Sequence, residues 1–306
     1  MSPAPLLRIA GLTKRYGAVT ALDGLTAEVP AGRIGVVGAN GAGKTTLFRI
    51  LLGLARPTEG SVEVGGVGVA DDPVTVRSRL GYMPEHDCLP LDQTAADVVA
   101  TFGELSGIPV RAARQRASEV LDLVGLDEAR FRPIGGFSTG MRQRAKLAQA
   151  LVGSPSLVLL DEPTAGLDPA GREDMLALVA RLGAFGISVL MSTHLLDDVQ
   201  QVCDHVLMLD SGRLVVSGPT DALLERRGTV IVDVGSGAGA DRLVAELSRR
   251  GLLAELAEGQ VEVTVEDDEQ LDVVRDVVAD LELPLYRLGS RLISLDEVFL
   301  QRASRP

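Results

Sequence analysis

The octapeptide Gly38-Ala39-Asn40-Gly41-Ala42-Gly43-Lys44-Thr45 constrains this chain more than any other stretch, because it fits the pattern G-x-x-x-x-G-K-[ST]. The short apolar run 33–37 leads into the glycines, and 44–52 carries helix-forming residues until Gly53 stops it. A strand, a loop and a helix in that order turn successive backbone N–H groups around a phosphate. The helix start adds its positive dipole end, and Lys44 adds a full charge. A glycine turn used only for packing does not explain Lys-Thr at a helix start. Thr45 is read as a ligand of Mg²⁺.

Two further apolar runs, 157–160 and 187–191, end in Asp161-Glu162 and in Ser192-Thr193-His194. In an open parallel sheet ligands bind outside the carboxyl ends of the strands, so these polar residues are expected to converge on the glycine loop. Two carboxylates beside phosphates repel them unless a metal intervenes. Asp161 is read as holding Mg²⁺ through its water shell, and Glu162 as polarising the attacking water. The alternative is a solvated acidic pair before Pro163. Between the first two runs the periodicity is helical rather than strand-like: Val98, Val99, Phe102 and Leu105, then Ala113, Ala117, Val120, Leu121 and Val124. A helix through Met175, Leu178, Val179 and Leu182 is expected to cover the sheet. Residues 205–210 and 213–217, split by Ser211-Gly212, read as a hairpin.

Length and charge divide the chain. With 306 residues two domains are expected. Of the net charge of -12, the part after Gly228 supplies two thirds, with eight Arg and Lys against sixteen Asp and Glu. Such a balance disfavours nucleic acid as a partner. The boundaries expected are 1–227, with a helical insert at about 86–137, and an acidic accessory domain at 228–306. The tail reads as strand 229–234, helix 240–250, strands 252–256 and 261–265, helix 269–281 and strand 285–288. That order, β-α-β-β-α-β, is ferredoxin-like and α+β. Asp267-Asp268-Glu269 reads as a helix start rather than a metal cluster. Ser294 with Glu297 reads as a capping box before a short amphipathic helix. No apolar run reaches the ~18 residues that span a bilayer. The beginning, MSPAPLLRIAGL, lacks the basic and long apolar regions of a signal peptide, so a cytosolic chain is expected. Cys88 and Cys203 lack metal or disulfide spacing and are expected to be buried small hydrophobes.

Phe137-Ser138-Thr139-Gly140-Met141 precedes a helix through Arg142, Lys146 and Ala150, with Ser138 placed as its N-cap. This segment, the Gly38–Thr45 loop, Leu159-Leu160-Asp161-Glu162-Pro163, Gly166-Leu167-Asp168 and His194 stand in the order of an ABC-type ATPase. Over roughly 6–218 the sequence resembles the ATP-binding subunit of a bacterial ABC transporter, most similar to ABC-2 type exporters. The resemblance implies an α/β P-loop core of the ABC type and an Mg²⁺-dependent ATPase. It implies an ATP site formed by Gly38, Asn40, Gly41, Ala42, Gly43, Lys44, Thr45 and Thr46. Tyr16 would stack on adenine, or else is a core tyrosine. His194 would contact the γ-phosphate, or else caps a strand end. His86 and His205 match no motif. In a head-to-tail dimer Ser138, Gly140 and Met141 of one copy would close over ATP held by the other, with Asp168 crossing the interface. A separate integral-membrane permease is the implied partner, at the inner face of the cell membrane. Two positions depart from the family. Glu85, in Tyr82-Met83-Pro84-Glu85, stands where the family usually has glutamine and would join Thr45 and Asp161 at the metal, and Met141 replaces the signature glutamine, whose hydrogen bonds it cannot make.

Overall fold

The computed structural model describes residues 5–235, 237–257, 259–265, 267–292 and Leu295. One compact unit runs to Thr220 and a second begins at Asp221.

In the first unit β3 (Arg33–Val37), β6 (Leu80–Met83), β7 (Leu157–Asp161), β8 (Ser188–Thr193) and β9 (His205–Asp210) run parallel, and β10 (Arg213–Pro219) closes the edge as an antiparallel hairpin with β9. The order is β10-β9-β3-β8-β7-β6. Every residue of β7 and β8 is buried, as expected of parallel strands covered on both faces. Register pairs Val37 with Thr193 and Asp161 with Ser192, so the three apolar runs end at one edge.

A second, antiparallel sheet has the order β2-β1-β4-β5, from β1 (Leu7–Tyr16), β2 (Val19–Val29), β4 (Glu59–Val64) and β5 (Val67–Gly68). Helix α1 (Lys44–Leu51) shares one hydrophobic core with both sheets, burying Leu47, Phe48, Ile50 and Leu51. Here the structure corrects the purely helical reading of the stretch between β3 and β7, which holds β4, β5 and β6. In β4 only Val62 and Val64 are buried, and pairing with β1 rather than its own pattern makes it a strand.

Helices α2 (Pro73–Ser78), α3 (Ala95–Leu105) and α4 (Val110–Leu123) follow; α3 and α4 pack on each other through Val98, Val99, Ala113, Ala117, Val120 and Leu121. Leu105, expected on that apolar face, is exposed at the end of α3. Helix α5 (Thr139–Leu151) lies tight against β6: a Cβ at Gly81 would sit 2.1 Å from the Ala150 carbonyl oxygen. Helices α6 (Pro169–Ala184) and α7 (Leu196–Val202) complete the layer, and α8 (Thr220–Leu224) spans the division between the units. Cys203 is buried, but Cys88 is exposed, against expectation, in the segment after β6.

The second unit contains β11 (Glu225–Asp233), α9 (Ala238–Arg249), β12 (Leu253–Ala257), β13 (Gln260–Thr264), α10 (Asp268–Asp280) and β14 (Arg287–Leu292). Its fully antiparallel order β12-β13-β11-β14 is the ferredoxin-like arrangement. Val230, Val232, Val261 and Val263 face Leu243, Leu247, Val274 and Val278 across its core. The last strand begins two residues later than the sequence suggests. Asp267 caps α10 by accepting from the Gln270 N–H at 2.9 Å, as a residue at a helix start does. The Ser294 to Glu297 capping box lies outside the described residues. No described helix is long and apolar enough to cross a membrane.

Candidate nucleotide site

The loop between β3 and α1 is shaped by its glycines. Gly41 and Gly43 have φ of 85° and 106°, and a Cβ on Gly43 would also stand 2.6 Å from the Ala21 carbonyl oxygen. Gly43 is the N-cap of α1, so the first-turn N–H groups have no acceptor within the helix and face the loop's hollow. Lys44, buried to 6% exposure, folds back and donates to the Gly38 carbonyl at 2.5 Å, with Glu162 Oε1 at 3.5 Å from its Nζ.

Glu162, one residue past β7, has φ of 48°, in the left-handed region that non-glycine residues seldom occupy. Its N–H donates to the Ser192 carbonyl at 3.0 Å, and its Oε2 accepts from His194 Nδ1 at 3.0 Å. One carboxylate therefore touches both the lysine of the loop and the histidine beyond β8. Ser192 also donates to Asp161 Oδ1. Burial pushes the Asp161 carboxyl above its ordinary pKa, and the Ser192 bond acts against that rise. Tyr82, half-buried beside Asp161, is pushed up to about 12, mainly by burial.

A cleft of about 380 Å³ opens beside the loop and the acidic pair. Tyr16, Asn40, Gly41, Gly43, Lys44, Thr45, Thr46, Glu85, Asp161, Glu162 and His194 all face it. Gly38 and Ala42 do not: Gly38 contributes its carbonyl to Lys44, and Ala42 is buried. Tyr16 is 42% exposed, with Lys14 Nζ 4.8 Å from its ring centroid. Ser138, Thr139, Gly140 and Met141 line a different depression, together with Gly166, Leu167 and Asp168. Ser138 caps α5 by accepting from the Met141 N–H at 3.3 Å. His86 is exposed, and His205 Nε2 pairs with Ser217 Oγ at 3.2 Å.

Asp198 and Gln143 carried no sequence signal, and Ser192 was expected only to converge on the glycine loop with the other strand-end residues. Ser192, in an all-buried strand, bonds both Asp161 and the backbone of Glu162. Buried Asp198 accepts from Thr164 Oγ1 at 2.7 Å and pairs with Arg172, bracing the loop that leads from Glu162 to Asp168. Gln143 on α5 donates to the Ala165 carbonyl of that same loop at 3.1 Å.

A phosphate loop at the carboxyl edge of a parallel sheet, an antiparallel sheet across α1, and an acidic pair with a histidine define an ATP-hydrolysing P-loop protein. The family model described as "ABC transporter" matches residues 22–165. The daunorubicin/doxorubicin resistance ATP-binding protein of Streptomyces peucetius is 35% identical, across 99% of this chain and 94% of that protein. The Nod factor export ATP-binding protein I of Ralstonia nicotianae is 33% identical, across 98% and 94%. Among solved structures, a subunit of a Clostridium perfringens ABC transporter complex superposes with a TM-score of 0.67 at 26% identity, covering 72% of this chain and 91% of that one. The chain belongs to the ATP-binding subunits of the ABC transporter family. Its activity is the binding and hydrolysis of ATP.

Proposed function

We propose that two copies of this chain close head to tail on ATP and Mg²⁺ and drive a separate integral-membrane permease in the direction of export. The observation behind the dimer is the division of the site. Lys44 and Glu162 line one depression, whereas Ser138, Gly140 and Asp168 line another. A second copy turned about a two-fold axis supplies each cleft with the other's Ser138 segment. Three carboxylates fit a divalent cation: Glu85, Asp161 and Glu162 line the cleft with Lys44. Thr45, Asp161 and Glu85 offer the hard oxygen ligands that Mg²⁺ prefers. Lys44 binds phosphate, Tyr16 offers a ring for adenine, Glu162 accepts a proton from the attacking water, and His194 orients the terminal phosphate.

Similarity across nearly the whole chain to the Nod factor export ATP-binding protein I of Ralstonia nicotianae supports the direction of export, and a subunit serving such a permease would sit peripherally on the inner face of the membrane. Residues 228–306 are proposed as an accessory domain without catalytic groups, since the described residues lining the cleft all precede Gly218.

Mixing two defective variants tests the dimer. Lys44→Ala disables the phosphate loop, and Gly140→Asp puts a charge where the partner's phosphates would lie. The Gly140 position has room, because a Cβ there meets nothing closer than 3.8 Å. Each variant alone is expected to be nearly inactive. The equimolar mixture should recover about a quarter of wild-type turnover, since half of randomly paired dimers regain one composite site. No recovery on mixing, or full activity of Gly140→Asp alone, would refute the shared site. Isolating the permease with the full chain from detergent-solubilised membranes tests the remaining partner.

A further inference from the structure

Lys146 is a cation in a place where a cation has no need to be for stability. It sits mid-way along α5 with 1% exposure. Among the described residues no carboxylate lies within ion-pair distance of it. Its Nζ instead donates to three consecutive carbonyls, those of Pro84 at 2.9 Å, Glu85 at 2.8 Å and His86 at 3.4 Å. An ammonium has three N–H donors and no acceptor, so this cage of three oxygens matches it. Burial lowers its pKa, and the nearby Cys88, Asp87, Glu85 and Asp161 oppose that shift. A methionine would fill similar volume without desolvating a charge, so packing alone does not call for lysine.

The segment it grips has few other anchors. It leaves β6 at Met83 and passes Glu85, which lines the nucleotide cleft, before Asp87 meets Arg142 of α5 at 3.7 Å. Arg142 and Lys146 are four residues apart and so share a face of α5. The same helix begins at Ser138, the residue assigned to the partner's nucleotide, and its Gln143 holds the loop after Glu162.

We propose that Lys146 is a positioning residue for hydrolysis, which fixes the backbone of Pro84, Glu85 and His86 so that Glu85 faces the cleft and moves as one body with α5. The tether within a chain stands by itself, while its consequence for the partner's site rests on the head-to-tail dimer proposed above. A shift of the Glu85 loop at one nucleotide then displaces the Ser138 segment at the other.

Lys146→Met in the full chain tests the tether. Turnover number is expected to fall about ten-fold or more, because loss of the cage lets the Glu85 loop move by an ångström or so. ATP affinity should stay within about three-fold, since Lys44 and the glycine loop are untouched. In a Glu85→Ala background the same substitution should cost less than about two-fold, because the group it positions is already gone. If Lys146→Met does not fold, Lys146→Gln, which keeps two N–H donors, is compared in the same two backgrounds. Wild-type turnover, an equal loss with and without Glu85, or a ten-fold loss of ATP affinity would each overturn the proposal. Failure of the dimer would show instead in the mixing experiment, where both chains keep Lys146.

Discussion

Glu162 is held from three sides, by Lys44, by His194 and by the Ser192 carbonyl at its N–H, in a backbone conformation that few glutamates adopt. Such over-determination fits a group that must aim one oxygen at a water. Glu162→Gln keeps the shape and removes the base. Phosphate release measured at saturating ATP is expected to drop by about 10² to 10⁴, with ATP affinity near wild type. Full turnover would remove Glu162 from the role of base. Lys44, Asp161, Glu162 and His194 were legible in the sequence because each ends an apolar run or follows a glycine loop. Ser192 was legible only as a polar residue at the end of its run, and Asp198 was not legible, since a polar residue buried by its partners has no spacing of its own. Thr45 and Glu85 face the cleft as their motifs suggest, whereas Gly38 shapes it only from behind.

At the level of elements, the all-buried strands β7 and β8 and the helix α6 could be read directly, because their burial is carried by unbroken or regularly spaced apolar residues. Strands β4 and β6 could not: one has two buried valines among exposed polar residues, the other is four residues long. Both exist because a neighbouring strand supplies their hydrogen bonds. The amphipathic α9 is the opposite case, its Leu243 and Leu247 fully buried in the core of the second unit, with α9 packed on β12 and β13. Leu243→Ala is expected to cost the second unit about 2 to 5 kcal/mol, through lost burial and the cavity left behind. Calorimetry should show that loss while ATP binding by the first unit stays unchanged. A parallel loss of ATP binding would mean that the second unit supports the cleft.

On the scale of the whole molecule, two units with separate cores carry unequal charge and unequal chemistry. The ferredoxin-like order was legible because the alternation in Val261, Val263 and Val265 and the spacing of Leu271, Val274 and Val278 leave little choice of period. The first unit runs to Thr220. Thr220 still donates through Oγ1 to the Cys203 carbonyl at 2.7 Å, and β11 starts at Glu225, ahead of the change in charge at Gly228. A chain ending near Arg227 keeps that Thr220 bond and the entire cleft. It is expected to bind ATP within about three-fold of the full chain and to lose association with its copy or its permease instead. A folded truncation that no longer binds ATP would place part of the second unit in the active site. If ATP joins two of these chains across two shared sites, the mass in solution of Glu162→Gln, which retains what it binds, reports the joining. With ATP and Mg²⁺ the mass should rise from that of one chain to that of two, and fall back when ATP is replaced by ADP; a single-chain mass at saturating bound ATP would rule out the shared sites.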